Sequence, residues 1–371
     1  MIGAETKEGK NPSISVVIPC FRAGELLAQA IESVLAQTET DWELILVDNN
    51  ASEETRRVIS RYLYKYPQKV KSVCERNSGV CFARNRGILE SKGQFIAFLD
   101  DDDLMYDQRL SLQKEALEKD SPSILCFGMI DKVNHQNTKV LQKNWLNPYF
   151  YEKFEIPIDE KNNFIDAFPS TWMIKKNLII KNNIFFDEHL NPVYLEDSDF
   201  LYRAFQVGKF VGVQESIIKY RLPSTDFLNT KRVNNVFHYR SLQNQDYFFS
   251  KIINDIKDNS GKNHYNTILK KWRARWLREA SFFFLAKGEK GKPFAQALLL
   301  ESIKTHPVDM KSLKHYLRSF MSSSYLNKKY NGYVIEDIIG PEITINFLKS
   351  LFLGKHKCEF CKLSTQCEGE E

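Results

Sequence analysis

The feature that most restricts the fold is an alternation of short β-branched apolar runs with segments whose apolar residues recur at helical spacing. Ile14–Ile18 is a nearly continuous apolar run closed by Pro19, the pattern of a strand buried on both faces. Leu26, Leu27, Ala30, Ile31, Val34 and Leu35 then recur at helical spacing, and the next strand, Leu44–Val47, stops at Asp48. Ser52 and Thr55, with Glu53 and Glu54 between them, read as an N-cap and a dipole-complementing first turn, opening a helix to about Tyr66. Val70–Cys74 follows as a third strand, Ala83–Glu90 as a third helix, and Phe95–Leu99 as a fourth strand that ends at four consecutive aspartates, Asp100 to Asp103. Such βαβα alternation predicts a mostly parallel sheet with helices on both faces and a ligand site outside the carboxyl ends of the strands. Two of the strands end on aspartate.

The strand signal fades after about Leu222, and amphipathic helical stretches such as Ile268–Phe284 and Pro293–Lys304 take over. With 371 residues the chain has room for one large domain and a smaller region. We therefore expect a flexible segment over 1–12, an α/β domain over 13–222, a helical region over 223–355 and a cysteine-containing tail over 356–371. A composition of 43% hydrophobic and 27% charged residues is that of a soluble globular protein, not a disordered or polytopic membrane chain. No apolar run approaches the ~18 residues of a membrane span, and Met1–Pro12 has no apolar h-region, so a cytoplasmic location is expected. A net charge of +5 is too small to imply nucleic-acid binding, and no nucleic-acid-binding module is present. Cys20, Cys74, Cys81 and Cys126 sit in apolar or mixed contexts that suit reduced core thiols. Lys270, Lys271, Trp272, Arg273, Arg275, Trp276 and Arg278 could form a basic, aromatic face toward a membrane, or a helix with core aromatics and a solvated basic side. In the tail, His356, Cys358, Cys361 and Cys367 hold a C-x-x-C core that could bind Zn²⁺, although half of the usual two-knuckle site is missing.

Four adjacent carboxylates repel one another unless a cation or water screens them. A hard divalent cation, Mn²⁺ or Mg²⁺, takes one or two carboxylates together with substrate phosphates and waters, and an acidic turn at a strand end supplies such ligands. The plainer alternative is a solvated acidic turn.

Taken together, Val16-Val17-Ile18-Pro19-Cys20-Phe21, Leu46-Val47-Asp48-Asn49-Asn50-Ala51-Ser52, Asn77-Ser78-Gly79 with Ala83-Arg84-Asn85-Arg86-Gly87, and Phe98-Leu99-Asp100-Asp101-Asp102-Asp103 resemble the family 2 glycosyltransferases of GT-A fold in order and spacing. A fifth motif, Leu195-Glu196-Asp197-Ser198-Asp199-Phe200, resembles the family's ED segment. The resemblance covers roughly residues 13–222. It implies a Rossmann-like α/β GT-A fold and transfer of a sugar, with inversion, from a nucleotide-diphosphate donor, expected to be UDP-linked. It also implies that Pro19, Phe21, Asp48, Arg84, Asn85, Asp100 and Asp101 line the nucleotide-sugar site. Asp48 would accept from the uracil imide and Phe21 would lie beside the base. In the D-x-D register Asp100 is the ribose-side carboxylate and Asp102 the metal ligand, with Asp103 assisting. A slip of one would make Asp101 the ligand instead. Asp197 is the expected general base, and Asp199 a helix-start residue of a helix over Asp199–Val207. Cys20 and Arg22 stand where Thr and Asn are usual, and Asn49 and Asn50 where Asp and Gly are commoner, so contacts in these loops are expected to differ.

Motifs of other classes are missing: no G-x-G-x-x-G follows the first strand, and there is no G-x-x-x-x-G-K-[ST], H-E-x-x-H or G-x-S-x-G. The resulting expectation is a metal-dependent glycosyltransferase acting on a saccharide or lipid-linked glycan acceptor in cell-surface polysaccharide synthesis, with peripheral contact to the inner face of the cell membrane. The alternative is a non-catalytic nucleotide-sugar-binding or membrane-surface scaffold protein of the same fold.

Overall fold

The computed structural model describes residues 11–145, 168–191 and 195–222, and discontinuous stretches between 236 and 335. Most of the amino-terminal segment 1–12, the tail with His356, Cys358, Cys361 and Cys367, and Trp272 and Trp276 lie outside the described residues. The chain divides into two compact units, Met1–Thr230 and Lys231–Glu371.

The first unit begins with the elements expected from the alternation. Strands β1 (Ile14–Cys20), β2 (Trp42–Asp48), β3 (Val70–Cys74) and β4 (Phe95–Phe98) alternate with helices α1 (Glu25–Leu35), α2 (Glu53–Lys65) and α3 (Val80–Glu90). The four strands pair in parallel in the order β3-β2-β1-β4. Their continuous hydrophobicity has a direct cause in the layering. Val16, Ile18, Leu44 and Leu46 pack into one core with Leu27, Ile31 and Val58 of α1 and α2, while Val17, Ile45 and Val47 pack into the other with Cys81 and Ile88 of α3. Successive side chains point to opposite faces, and both faces are covered. Ser52 caps α2, its hydroxyl accepting from the Thr55 amide.

Beyond β4 the parallel sheet continues as a mixed one. After the aspartate turn come β5 (Leu104–Met105), α4 (Arg109–Lys119), β6 (Ser123–Val133), β7 (Val140–Trp145), β8 (Met173–Lys175), α5 (Lys176–Lys181), α6 (Glu196–Phe205) and β9 (Lys209–Arg221). The full order is β3-β2-β1-β4-β8-β6-β9-β5, with β7 also on β6. β8 runs antiparallel to both β4 and β6, and β5 antiparallel to β9. Helix α6 starts three residues earlier than the sequence reading placed it, which puts Glu196 and Asp197 in its first turn. Cys20, Cys81 and Cys126 are buried free thiols, while Cys74 is exposed at the end of β3.

Two backbone features fix the loops over the carboxyl ends of the strands. Asn50 adopts the left-handed conformation, φ 55°, where glycine is commoner in the family, and asparagine is the residue that tolerates it best after glycine. Gly79 caps α3 at φ +135°, and its amide donates to Asn49 Oδ1 at 2.7 Å. A Cβ on Gly79 would lie 1.8 Å from the Asn191 amide, which itself donates to the Ser78 carbonyl.

The second unit pairs β10 (Val236–Phe237) with β11 (Val334–Ile335) in parallel and packs α7 (Lys292–Thr305) against α8 (Met310–Arg318). Lys270, Lys271 and Arg275 are exposed while Ala274 and Leu277 are buried, as expected of a core-packed helix with a solvated basic side. Among the described residues no helix is long and apolar enough to cross a membrane.

Gly79→Ala combines a conformation that side chains avoid with a collision against Asn191. It is expected to destabilise the protein by about 1–3 kcal/mol and to lower the melting temperature in a thermal scan. An unchanged melting temperature would show that the loop is not held as described.

Candidate active site

The parallel order β2-β1-β4 brings three chain reversals side by side: Asp48 at the end of β2, Cys20 and Phe21 at the end of β1, and Asp100–Asp103 after β4. Asp48 stands opposite Cys20 in the strand register. Its Oδ1 accepts from the Ala51 amide at 2.9 Å, closing the turn before α2, and its Oδ2 accepts from Arg56 Nε at 2.8 Å. Asn49 beside it is buried, donating to the Glu75 and Asn77 carbonyls while its oxygen takes the Gly79 amide. The asparagine that departs from the family pattern thus ties the β2 loop to the loop that starts α3. Phe21 presents a ring that is 44% exposed, with the Arg22 guanidinium 4.7 Å from its centroid. Pro19 lies one residue inside β1, opposite Val47.

The four aspartates occupy four different environments. Asp100 is ion-paired to Arg84 at 2.9 Å, and its amide donates to Ser170 Oγ. Asp101 accepts from the Phe21 amide at 2.8 Å and so fastens the β1 loop; burial pushes its pKa up to about 7. Asp103 is buried and accepts from the Arg221 amide of β9 at 3.1 Å, with its pKa raised by burial and by the Asp100 and Asp102 charges. Asp102 alone of the four is exposed to solvent. Crowding by the surrounding chain and the nearby Asp100 charge still raise its pKa. Arg221 grips the same turn twice, since its Nε also donates to the Asp102 carbonyl at 2.7 Å. Sequence reasoning missed Arg221 because its partners in the aspartate turn lie more than a hundred residues away and no local pattern marks it. It also missed Arg109, a fully buried guanidinium that donates to the carbonyls of Phe98 and Trp172 and braces β4 against β8.

Arg84 joins this cluster to the ED segment. It projects from α3 with its side chain 5% exposed, meeting Asp100 at 2.9 Å and Glu196 at 3.5 Å, over the Phe186 ring at 5.2 Å. Burial works against its charge, but the Asp100 and Glu196 carboxylates outweigh burial and raise its pKa. Beneath it, Phe98, Trp172, Phe186 and Phe200 form an aromatic layer, with the Phe186 and Phe200 rings stacked at 4.6 Å. Asn85 faces inward as well. Its amide donates to the Phe186 carbonyl at 2.9 Å and to Glu188 at 3.0 Å, and its oxygen accepts from the Phe186 amide. That reciprocal clamp fixes the segment leading toward α6.

Asp197 lies in the first turn of α6, accepting from the Ser198 amide at 2.6 Å. Burial, and then the adjacent Glu196 charge, push its pKa up to about 7, although Arg84 and the Ser198 amide pull the other way. A carboxylate with a pKa near neutrality is matched to removing a proton from a hydroxyl. Asp199 serves the helix itself: it is fully buried and paired to Arg203 at 2.6 Å, one turn on.

The chain that carries this site is similar to known proteins. Residues 15–181 match the family described as glycosyl transferase family 2. The matched segment lies within the amino-terminal unit. An uncharacterized glycosyltransferase of Methanocaldococcus jannaschii is 29% identical over 240 residues, covering 64% of this chain and 80% of that protein. TuaG of Bacillus subtilis, whose name assigns it to teichuronic acid biosynthesis, is 34% identical over 105 residues, covering 28% of this chain and 41% of TuaG. Among solved structures, S. aureus TarS 1-349 in complex with UDP-GlcNAc aligns with a TM-score of 0.60 at 14% identity, covering 86% of this chain and 91% of that one. The chain spans 54% of the length of the longer TarS structure. The likeness to TarS shows the GT-A fold.

The bridge by Arg84 makes a direct expectation for stability. Arg84→Met leaves Asp100 and Glu196 without their shared cation but still partly hydrated, costing about 1–3 kcal/mol. The deficit, read as an earlier thermal transition, should shrink as the pH falls through about 7, where Asp197 takes up a proton. Equal melting of parent and variant across that range would remove the bridge from the account.

Proposed function

We propose that this family 2 glycosyltransferase transfers a sugar from a UDP-linked donor to a hydroxyl of a saccharide or lipid-linked glycan acceptor, in cell-surface polysaccharide synthesis, with inversion. The observation that carries the reading is the arrangement around Arg84, in which one buried guanidinium links the donor-side Asp100 to the ED segment that bears Asp197. TarS has been solved in complex with UDP-GlcNAc and with UDP, and TuaG is named for teichuronic acid biosynthesis, which together favour a UDP-sugar donor and this class of acceptor.

In this reading the exposed Phe21 ring offers a face for the base, and Asp48 an acceptor for the uracil imide, given that Arg56, itself exposed, can yield one carboxylate oxygen. The donor set suits a hard cation. Among the described residues no three His, Cys, Asp or Glu side chains form a ready-made metal cluster. Asp102, the solvent-facing carboxylate of the turn, with Asp100 two residues before it, would hold Mn²⁺ or Mg²⁺. Such an ion, when bound, neutralises charge developing on the diphosphate leaving group. The protein supplies the remainder. Arg221 and the Phe21 amide hold the aspartate turn in place. Asp197, ionised above about pH 7, takes the proton of the acceptor hydroxyl as that oxygen attacks the anomeric carbon and the bond to the diphosphate breaks. One base and one displacement suffice, without a covalent intermediate.

Two substitutions separate the donor site from the chemistry. Asp102→Asn should abolish the gain in UDP affinity that Mn²⁺ gives the parent in calorimetry, and equal UDP affinity of the parent in EDTA and in Mn²⁺ would contradict the metal role. Asp197→Asn keeps the size of the side chain, so UDP affinity should hold while transfer falls ~100- to 10,000-fold. Transfer within a few-fold of the parent would move the base to another carboxylate.

A further inference from the structure

Helix α8 of the second unit is amphipathic in the reverse sense. Its inward side carries polar residues: Ser312 is fully buried and its hydroxyl lies 2.7 Å from that of Ser302 on α7, Ser319 just past the helix is also fully buried, and His315 and Tyr316 between them are half-buried. Its apolar residues face outward. Met310 is 69% exposed, Leu317 62% and Phe320 62%, with Leu313 and Met321 exposed alongside them. These fall at positions i, i+3, i+7, i+10 and i+11, one stripe of a helix and the turn that continues it. Soluble proteins seldom leave so many large apolar side chains together on one face while burying serines on the other. Lys314 and Arg318 line the same shallow groove as Met310, Leu313, Leu317 and Met321. Between Asp309 and Glu336 the chain carries Lys311, Lys314, Arg318, Lys328 and Lys329 and no carboxylate side chain.

We infer that this face of α8 is a docking surface for an anionic lipid bilayer, inserting its apolar stripe at the headgroup boundary while the flanking cations meet lipid phosphates. The charge pattern selects this occupant. In a two-fold pairing with a second copy, Lys314 and Arg318 would lie against an equally basic patch, with no carboxylate from this segment to offset them. A bilayer with anionic headgroups supplies both what the apolar stripe lacks and what the cations attract. This surface differs from the Lys270–Arg278 segment that the sequence first suggested, and it does not rest on the sugar-transfer reading.

The test is flotation of the full chain with phosphatidylcholine vesicles and with vesicles that also contain phosphatidylglycerol. The protein should float with the anionic vesicles and not with the neutral ones. The pair Lys314→Gln and Arg318→Gln should weaken partitioning about 30-fold at low salt. Leu317→Ser with Phe320→Ser should weaken it at least about 100-fold while leaving the melting temperature at or above that of the parent, because both side chains are exposed. Absence of flotation with anionic vesicles, or flotation unaffected by both double variants, would overturn the proposal. So would a dimer in sedimentation that the Leu317 and Phe320 substitutions dissolve, which would assign the face to a second copy.

Discussion

A single buried cation organises the domain. Arg84 sits on α3 almost out of reach of solvent, where carboxylates against it offset the cost of burying its charge. It has two, and they come from segments far apart in the sequence: Asp100 follows β4, and Glu196 opens α6. The pairing therefore draws the acidic turn at the edge of the parallel strands toward the helix start that carries Asp197. The aromatic layer of Phe98, Trp172, Phe186 and Phe200 below gives that arrangement a dry floor, which strengthens every charge interaction above it.

The rest of the site is held by polar clamps between segments distant in sequence. Asn49 fixes the loop before α3, Asn85 fixes the Phe186 segment, Asp101 fixes the β1 loop, and Arg221 fixes the aspartate turn from β9. These side chains position others. The division of labour among the four aspartates follows from it: Asp101 and Asp103 are anchored to backbone amides, Asp100 to Arg84, and Asp102 is left facing solvent.

How much of this was legible in the sequence depended on the range of the interactions. β1 to β4 and their helices could be read because burial on both faces of a parallel strand, and capping by Ser52, are local patterns. The positions of Asp48, Arg84 and the aspartate run could be read from family motifs. The mixed second half of the sheet could not, because the antiparallel insertion of β8 between β4 and β6 is decided by pairings distant in sequence, such as Ala97 and Cys126 with Met173. Nor could the roles of Arg109 and Arg221, which look like ordinary charged residues until burial and partners are known. Asn85 shows the converse: its motif marked it, but its amide is spent on the Phe186 backbone and Glu188. The outward apolar stripe of α8 was hidden for another reason, since periodicity shows that a helix has an apolar face but not which way the face points.

In the proposed mechanism Asp197 is an ionisable base poised near neutrality. The most direct measurement is the pH dependence of the transfer rate at saturating donor. A base must be ionised to act, so the rate should rise as the pH increases through about 7 and then level off, following the raised pKa that burial and Glu196 give Asp197. A rate that stays flat between about pH 5.5 and 8.5, with the protein folded throughout, would contradict it.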